Sequence, residues 1–195
     1  GVLMEAFLPF IPEGGTTGTH VEFNDIAIGE RLRAVCRDQA VTDRYRRGTC
    51  AHGIGHALEY LADYDIGAGL RACKLFGEKA MEFYCTGGVF MEYDLVYADA
   101  ERSGSRRETS LHYPCDVYGE YPASCYIYKA KHIIAKLGTA RKMADECMKF
   151  SGFMRWGCFR GYGFAHLQTI DRNPGHLARV CRVGDFNDRK MCVEG

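Results

Sequence analysis

The chain has 195 residues, and its 25 basic side chains balance its 25 acidic ones, so its formal net charge at pH 7 is zero. That balance provides no field to attract nucleic acid or an anionic membrane surface, and neither is expected as a partner. The longest apolar stretches fall far short of the roughly 20 residues that cross a bilayer, so no membrane span is predicted.

From the N-terminus onwards, helical stretches that end at one cysteine alternate with apolar stretches that begin at the next. The cysteines that end a stretch are Cys36, Cys73, Cys115, Cys147 and Cys181, and those that begin one are Cys50, Cys85, Cys125, Cys158 and Cys192. The members of each series recur every 32 to 42 residues. A period of this length with two helices per unit is typical of helical hairpins that stack in a row, each burying its apolar face on its neighbours.

The predicted fold is therefore all-α: a disulfide-stapled α/α-hairpin solenoid of about five repeats in one domain, residues 1–195. The approximate repeats are 1–49, 50–84, 85–124, 125–157 and 158–191. A β-sheet is disfavoured because no sustained two-residue alternation of apolar and polar residues occurs. Glycine pairs such as Gly53 with Gly55 cost about 1 kcal/mol per residue inside a helix, so they indicate either close helix approach or a turn before the helix.

The cysteines also predict where the protein resides. None of the ten lies in a Cys-x-x-Cys arrangement, which favours disulfides over a zinc or redox site. Disulfides indicate an extracytoplasmic location, whether secreted, periplasmic or at the cell surface. Pairing within each repeat, Cys36 with Cys50 and so on, would close loops of about a dozen residues, each worth on the order of 3 kcal/mol. Repetition suggests this pairing, although spacing alone does not fix connectivity.

The two termini carry the two parts of a split repeat. Gly1–Phe7 matches Gly88–Asp94, and Cys192–Gly195 matches Cys85–Gly88. Three interpretations stay open: a segment of a longer tandem array, a subunit whose half-repeats complete one another head to tail, or atypical end caps. A head-to-tail contact that does not close produces an open filament. The residues predicted to take part in such assembly are Val2, Leu3, Met4, Cys192 and Val193.

Gly69–Gly88 and Lys142–Gly161 share one pattern: a helical stretch that ends at a cysteine, roughly ten residues, and then Cys-x-x-Gly opening the next stretch. This pattern resembles the cysteine-rich Sel1-like repeat proteins of bacteria. The resemblance implies right-handed stacking of α/α hairpins with one disulfide per repeat, and an exported interaction scaffold rather than a catalyst. The chain departs from that family in lacking its Gly-x-Gly-Val turn and in carrying His-Gly-Ile-Gly-His at residues 52–56.

Two histidines form the strongest candidate for a metal site. His52 and His56 are four residues apart, so on a helix both imidazoles project from one face, about one turn apart, as shared Zn or Cu ligation requires. Glu59 lies on the same side one turn further. A zinc protease is disfavoured because Gly53 stands where that motif needs its glutamate base.

Later repeats place further polar residues at comparable positions. His132 follows Cys125 by seven residues, and His166 follows Cys158 by eight. Stacked helices would align them with His56 and Glu92 as a ladder of potential metal ligands. The alternative is that these groups satisfy hydrogen bonds between repeats, as buried polar groups usually do.

No motif in the sequence requires an enzyme or a cofactor, since the nucleophile elbow, the phosphate loop and the dinucleotide fingerprint are all missing. The sequence therefore predicts an extracytoplasmic structural or interaction scaffold. Its expected partner is itself, head to tail, or another extracellular macromolecule. The alternative is a Zn- or Cu-binding protein or metalloenzyme centred on the helix that carries His52 and His56.

Overall fold

The computed structural model describes residues 26–102, 110–169 and 174–195, and every regular element within these ranges is a helix. The all-α prediction is confirmed. In chain order the helices are α1 (Ile26–Val35), α2 (Gln39–Thr42), α3 (Arg47–Leu61), α4 (Ile66–Cys73), α5 (Lys79–Arg102), α6 (Pro122–Leu137), α7 (Ala140–Cys147), α8 (Gly152–Thr169), α9 (Pro174–Val180) and α10 (Phe186–Glu194), with a 3-10 turn at Lys74–Phe76. None of the described helices is long and apolar enough to cross a membrane.

The chain divides into two compact lobes, which we call the N-terminal lobe (Gly1–Asp99) and the C-terminal lobe (Ala100–Gly195). Each lobe has its own buried apolar side chains. Those of the N-terminal lobe include Ile54, Phe76, Val89 and Phe90, and those of the C-terminal lobe include Tyr126, Ile133, Met143 and Phe159. The five-repeat solenoid stays a prediction.

Local signals explain where several helices begin and end. The Asp65 side chain accepts a hydrogen bond from the Ala68 N–H at the start of α4, and Thr139 caps α7 in the same way through the Lys142 N–H. Such caps satisfy backbone N–H groups that have no partner inside the helix. Gly138 ends α6 in the left-handed conformation, with φ of 78°, which a residue without Cβ adopts at little cost.

Five disulfides join each cysteine of the first series to the next cysteine along the chain, so the expected pairing, Cys36 with Cys50 and so on, is confirmed. The pairs are Cys36–Cys50, Cys73–Cys85, Cys115–Cys125, Cys147–Cys158 and Cys181–Cys192, with Cα–Cα distances of 5.5 to 5.6 Å. Two details differ from the sequence prediction. Cys115 lies in a run of turns rather than at the end of a helix, and the second cysteine of each pair lies inside its helix, so that α3 begins at Arg47, before Cys50.

Glycines allow α3 and α5 to touch backbone to backbone. A Cβ on Gly55 would overlap the carbonyl oxygen of Cys85, and a Cβ on Gly88 would overlap the carbonyl oxygen of His52. The contact is reciprocal, because each helix places its glycine against the other helix's carbonyl. Of the two interpretations offered for these glycines, close helix approach holds here.

The C-terminal lobe contains the same reciprocal contact. A Cβ on Gly163 of α8 would overlap the Cys192 carbonyl oxygen, and one on Gly195 would overlap the Arg160 carbonyl oxygen. In both lobes each glycine lies three residues after the carbonyl-bearing residue of its own helix. Gly195 is therefore the structural counterpart of Gly88.

Candidate functional site

His52 and His56 meet on one face of α3, as their spacing predicts. Their Nε2 atoms are 3.2 Å apart, and the rings lie edge to face with centroids separated by 4.9 Å. The His56 side chain is 21% exposed, so the pair lies at the boundary between the core and solvent. Solvent can therefore reach a ligand bound to these two rings.

The other nitrogen of each ring has a partner on α5. His56 Nδ1 lies 2.7 Å from Glu92 Oε2, and His52 Nδ1 lies 3.3 Å from the backbone oxygen of Tyr84. A carbonyl oxygen only accepts, so His52 Nδ1 carries the hydrogen and donates it. Glu92 Oε2 accepts from His56 Nδ1 when that nitrogen carries the hydrogen. Both rings are thus oriented with Nε2 facing Nε2.

This orientation defines what can lie between the rings. When Nδ1 carries the hydrogen of a neutral imidazole, Nε2 carries a lone pair. With both hydrogens on Nδ1, two lone pairs face each other at 3.2 Å, and a proton or a metal ion between them relieves their repulsion. Burial, followed by the neighbouring His56, lowers the pKa of His52 and opposes the protonated state.

Glu59 lies in the interior of the same lobe. Its side chain is fully buried, and neither carboxyl oxygen has a hydrogen-bond partner within the described part of the chain. Burial raises its pKa to about 8, and the nearby charges of Asp65 and Glu92 act in the same direction. At neutral pH Glu59 is therefore mainly an uncharged acid.

Gly69 provides the space for that carboxyl group. A Cβ on Gly69 would lie 2.5 Å from Glu59 Oε2 and 3.3 Å from the methyl groups of Val89. The carboxyl group thus faces small and apolar neighbours, which explains the large rise of its pKa. The structure brings Glu92 rather than Glu59 into contact with the histidine pair.

The other two predicted ligands lie in the C-terminal lobe. The His166 ring contacts the Tyr162 ring, with centroids 4.7 Å apart, and its centroid is 6.1 Å from that of His176. His132 lies on α6. Of the predicted ladder, the structure gives the contact between His56 and Glu92, and its extension to His132 and His166 stays a prediction.

Sequence reasoning did not identify His112 as part of a polar cluster. The Tyr126 hydroxyl lies 3.0 Å from His112 Nδ1, and His112 Nε2 lies 3.8 Å from a Glu146 carboxyl oxygen. Burial lowers the pKa of His112, while Glu146 acts to raise it. No motif marks this cluster, because its members come from three separate segments.

The residues predicted for assembly fall in two places. Val2, Leu3 and Met4 lie outside the described residues. Cys192 is buried in its disulfide, and Val193 is 56% exposed on α10.

Within the described ranges, no group of three or more His, Cys, Asp or Glu side chains is arranged to hold a metal ion. The site has two imidazoles, and its carboxylate, Glu92, contacts the His56 nitrogen that faces away from His52. No family model matches this chain, and neither a curated protein nor a solved structure does so.

Proposed function

We propose that this protein is an extracytoplasmic interaction scaffold that associates by extending its own helix packing. All ten cysteines are in disulfides, which supports an oxidising location. The repetition of one helix contact in two lobes supports a role in building a larger packed structure.

The observation that carries the proposal is the equivalence of Gly195 and Gly88. In the N-terminal lobe, α5 continues beyond Gly88, and its next two residues, Val89 and Phe90, are buried. Gly195 makes the same reciprocal contact with α8. A segment that begins with two apolar residues therefore fits the position next to Gly195.

The chain itself contains a segment of this kind. Gly1–Glu5 reads Gly-Val-Leu-Met-Glu, and Gly88–Glu92 reads Gly-Val-Phe-Met-Glu. We take the occupant to be Val2–Glu5 of a second copy, because Gly195 already fills the position of Gly88. This gives a head-to-tail contact and, unless it closes, a filament. A longer tandem array would place an equivalent segment there within one polypeptide.

Burial differences support an association surface at α10. Val193 is the counterpart of Thr86, since each directly follows the second cysteine of its disulfide. Thr86 is fully buried, whereas Val193 is 56% exposed. Covering an exposed valine is favourable by about 25 cal/mol per Å² of apolar area.

Light scattering over a range of concentrations, with negative-stain imaging, tests the proposal. We expect the particle mass of the wild-type chain to rise with concentration, and Val193→Asp to keep the chain monomeric. Val117→Asp is the matched control, because Val117 is 60% exposed in the same lobe, and it should associate like wild type. A wild-type chain that stays monomeric at the highest concentration, or equal behaviour of the two variants, would contradict the proposal.

A further inference from the structure

We propose that His52 and His56 form a binding site for one divalent transition-metal ion, Zn²⁺ or Cu²⁺. Glu92 and the Tyr84 carbonyl hold the two rings from behind. This site is independent of the association surface on α10.

The separation of the two nitrogens fits an ion between them. Zinc binds imidazole nitrogen at about 2.0–2.1 Å, so two nitrogens on a tetrahedral ion are about 3.3–3.4 Å apart. The two Nε2 atoms are 3.2 Å apart. Seating an ion on both nitrogens therefore requires adjustments of only a few tenths of an ångström.

The partners of the Nδ1 atoms are those that metal-bound histidines use. A histidine ligand commonly donates its other N–H to a carboxylate or a backbone carbonyl, which fixes the tautomer and the ring orientation. His56 has the carboxylate of Glu92, and His52 has the carbonyl of Tyr84. Both rings are thus prepared to offer the Nε2 lone pair.

The frame around the pair is rigid. His52 lies two residues after Cys50, and Tyr84 directly precedes Cys85, so each side of the site is next to a disulfide. The His52 carbonyl is also held against Gly88 by the close helix contact. A site whose ligands are already placed loses less entropy when it binds an ion.

Packing does not require these histidines. The C-terminal lobe makes the same reciprocal glycine contact with Arg160 and Phe164 in place of His52 and His56. The pair is therefore a feature added to a helix contact that forms without it. Imidazole is a preferred ligand of Zn²⁺ and Cu²⁺.

The test is calorimetric titration of the chelator-treated, disulfide-intact chain with ZnCl₂ and with CuSO₄. We expect one ion per chain for at least one of the two metals, and nitrogen hyperfine coupling in the electron paramagnetic resonance spectrum of the Cu²⁺ form. Glu92→Gln keeps the shape of the side chain but weakens the hold on His56, and it should reduce affinity by about 10- to 100-fold.

The discriminating variant is the double substitution His52→Arg with His56→Phe. It reproduces the residues of the C-terminal lobe, so we expect it to keep its helical circular dichroism and its five disulfides while losing the bound ion. His176→Ala, a histidine of the C-terminal lobe outside the predicted ligands, is the control, and it should bind as wild type does. Retention of binding by the double variant would overturn the proposal. So would absence of stoichiometric binding by wild type, in which case the rings share a proton.

Discussion

The two lobes make the same helix contact and use it differently. In the N-terminal lobe the contact between α3 and α5 carries a histidine pair, Glu92 and a buried acid, whereas between α8 and α10 the corresponding positions of the first helix hold Arg160, Phe164 and Leu167. The backbone approach is therefore independent of the polar side chains. The repeated glycine contact holds the helices together, and the two lobes differ in the side chains beside it.

A second shared feature is an arginine that lies three residues before the second cysteine of a disulfide, Cys50 in one lobe and Cys158 in the other. Arg47 binds Glu78 with two nitrogen–oxygen distances of 3.0 Å, and Arg155 binds Asp188 at 2.8 and 2.5 Å. Glu78 directly precedes α5, and Asp188 lies in the first turn of α10. The pairs differ in burial, because Asp188 is fully buried and Glu78 is 35% exposed.

The largest effect is expected from breaking the repeated helix contact. Gly55→Ala and Gly163→Ala each place a Cβ on a backbone carbonyl, so the helices must separate, and we expect each to cost more than about 3 kcal/mol in the free energy of unfolding. Urea denaturation measures this. Gly119→Ala is the control, since the nearest atom to its Cβ would be the Met154 sulfur at 3.5 Å, an ordinary contact. A loss in only one lobe would show that the two contacts are not equivalent.

Removing one disulfide from each lobe tests whether the two disulfides contribute equally to the free energy of unfolding. The Cys73–Cys85 and Cys181–Cys192 disulfides have sequence separations of 12 and 11 residues, so replacing either pair by serine should cost about 3 kcal/mol. Denaturation midpoints of the two double variants give the comparison. A difference larger than about 1.5 kcal/mol would mean that chain entropy alone does not describe these bonds.

The two arginine pairs should differ in strength. Arg155→Ala leaves the buried Asp188 carboxylate without its guanidinium, and we expect a loss of about 2–3 kcal/mol. Arg47→Ala breaks a partly exposed pair whose acid keeps Arg37 as a partner, and it should cost less than about 1 kcal/mol. Denaturation of the two variants side by side measures the difference.

The pH dependence of stability checks the stronger pair independently. Burial alone would raise the pKa of Asp188, but hydrogen bonds from Arg155 and from the Asp185 backbone outweigh it, so the pKa lies below its usual range. Its contribution to stability is therefore present above the unfolded-state pKa and is lost as the pH falls through the folded-state pKa. In Arg155→Ala the loss of stability at acid pH should be smaller. If the free energy of unfolding fell with pH as steeply as in wild type, the Arg155–Asp188 pair would not be its cause.

A smaller change in stability is expected from replacing the buried Glu59 by leucine, the residue at the corresponding position, 167, of the C-terminal lobe. The pKa of Glu59 rises from 4.5 to about 8 in the folded chain, so its contribution is fully present below pH 4.5 and is lost as the pH rises towards 8. Glu59→Leu removes a charge that must form without a partner, and we expect a gain of about 2 kcal/mol at pH 8 and little gain at pH 5. Thermal unfolding at the two pH values measures it. An equal gain at both would place the effect in packing rather than charge.

Periodic features of this chain could be predicted from sequence. The cysteine series predicted the helix ends at Cys73 and Cys147 and the pairing of consecutive cysteines, because short loops and helix ends obey local rules. Close helix approach was one of two interpretations of the glycine pairs, and it holds at Gly55 and Gly163. Spacing by four residues was enough to bring His52 and His56 together.

Contacts between helices that are not adjacent in the sequence could not be predicted in the same way. Glu59 and Glu92 both looked available to the histidines, and the choice depends on the register of α5 against α3, which the glycine contact sets to within a fraction of a turn. The burial of Glu59 depends on the missing side chain of Gly69, on a different helix. The pairing of Arg155 with Asp188 joins residues 33 apart and follows no short-range rule.

The connectivity of the disulfides has a consequence for how the chain is made. Each cysteine is joined to the next cysteine along the sequence, so no bond spans another. A chain that enters an oxidising compartment N-terminus first presents each thiol with its correct partner before any competitor emerges. Successive oxidation in that order would form the native bonds without a step that reshuffles wrong ones.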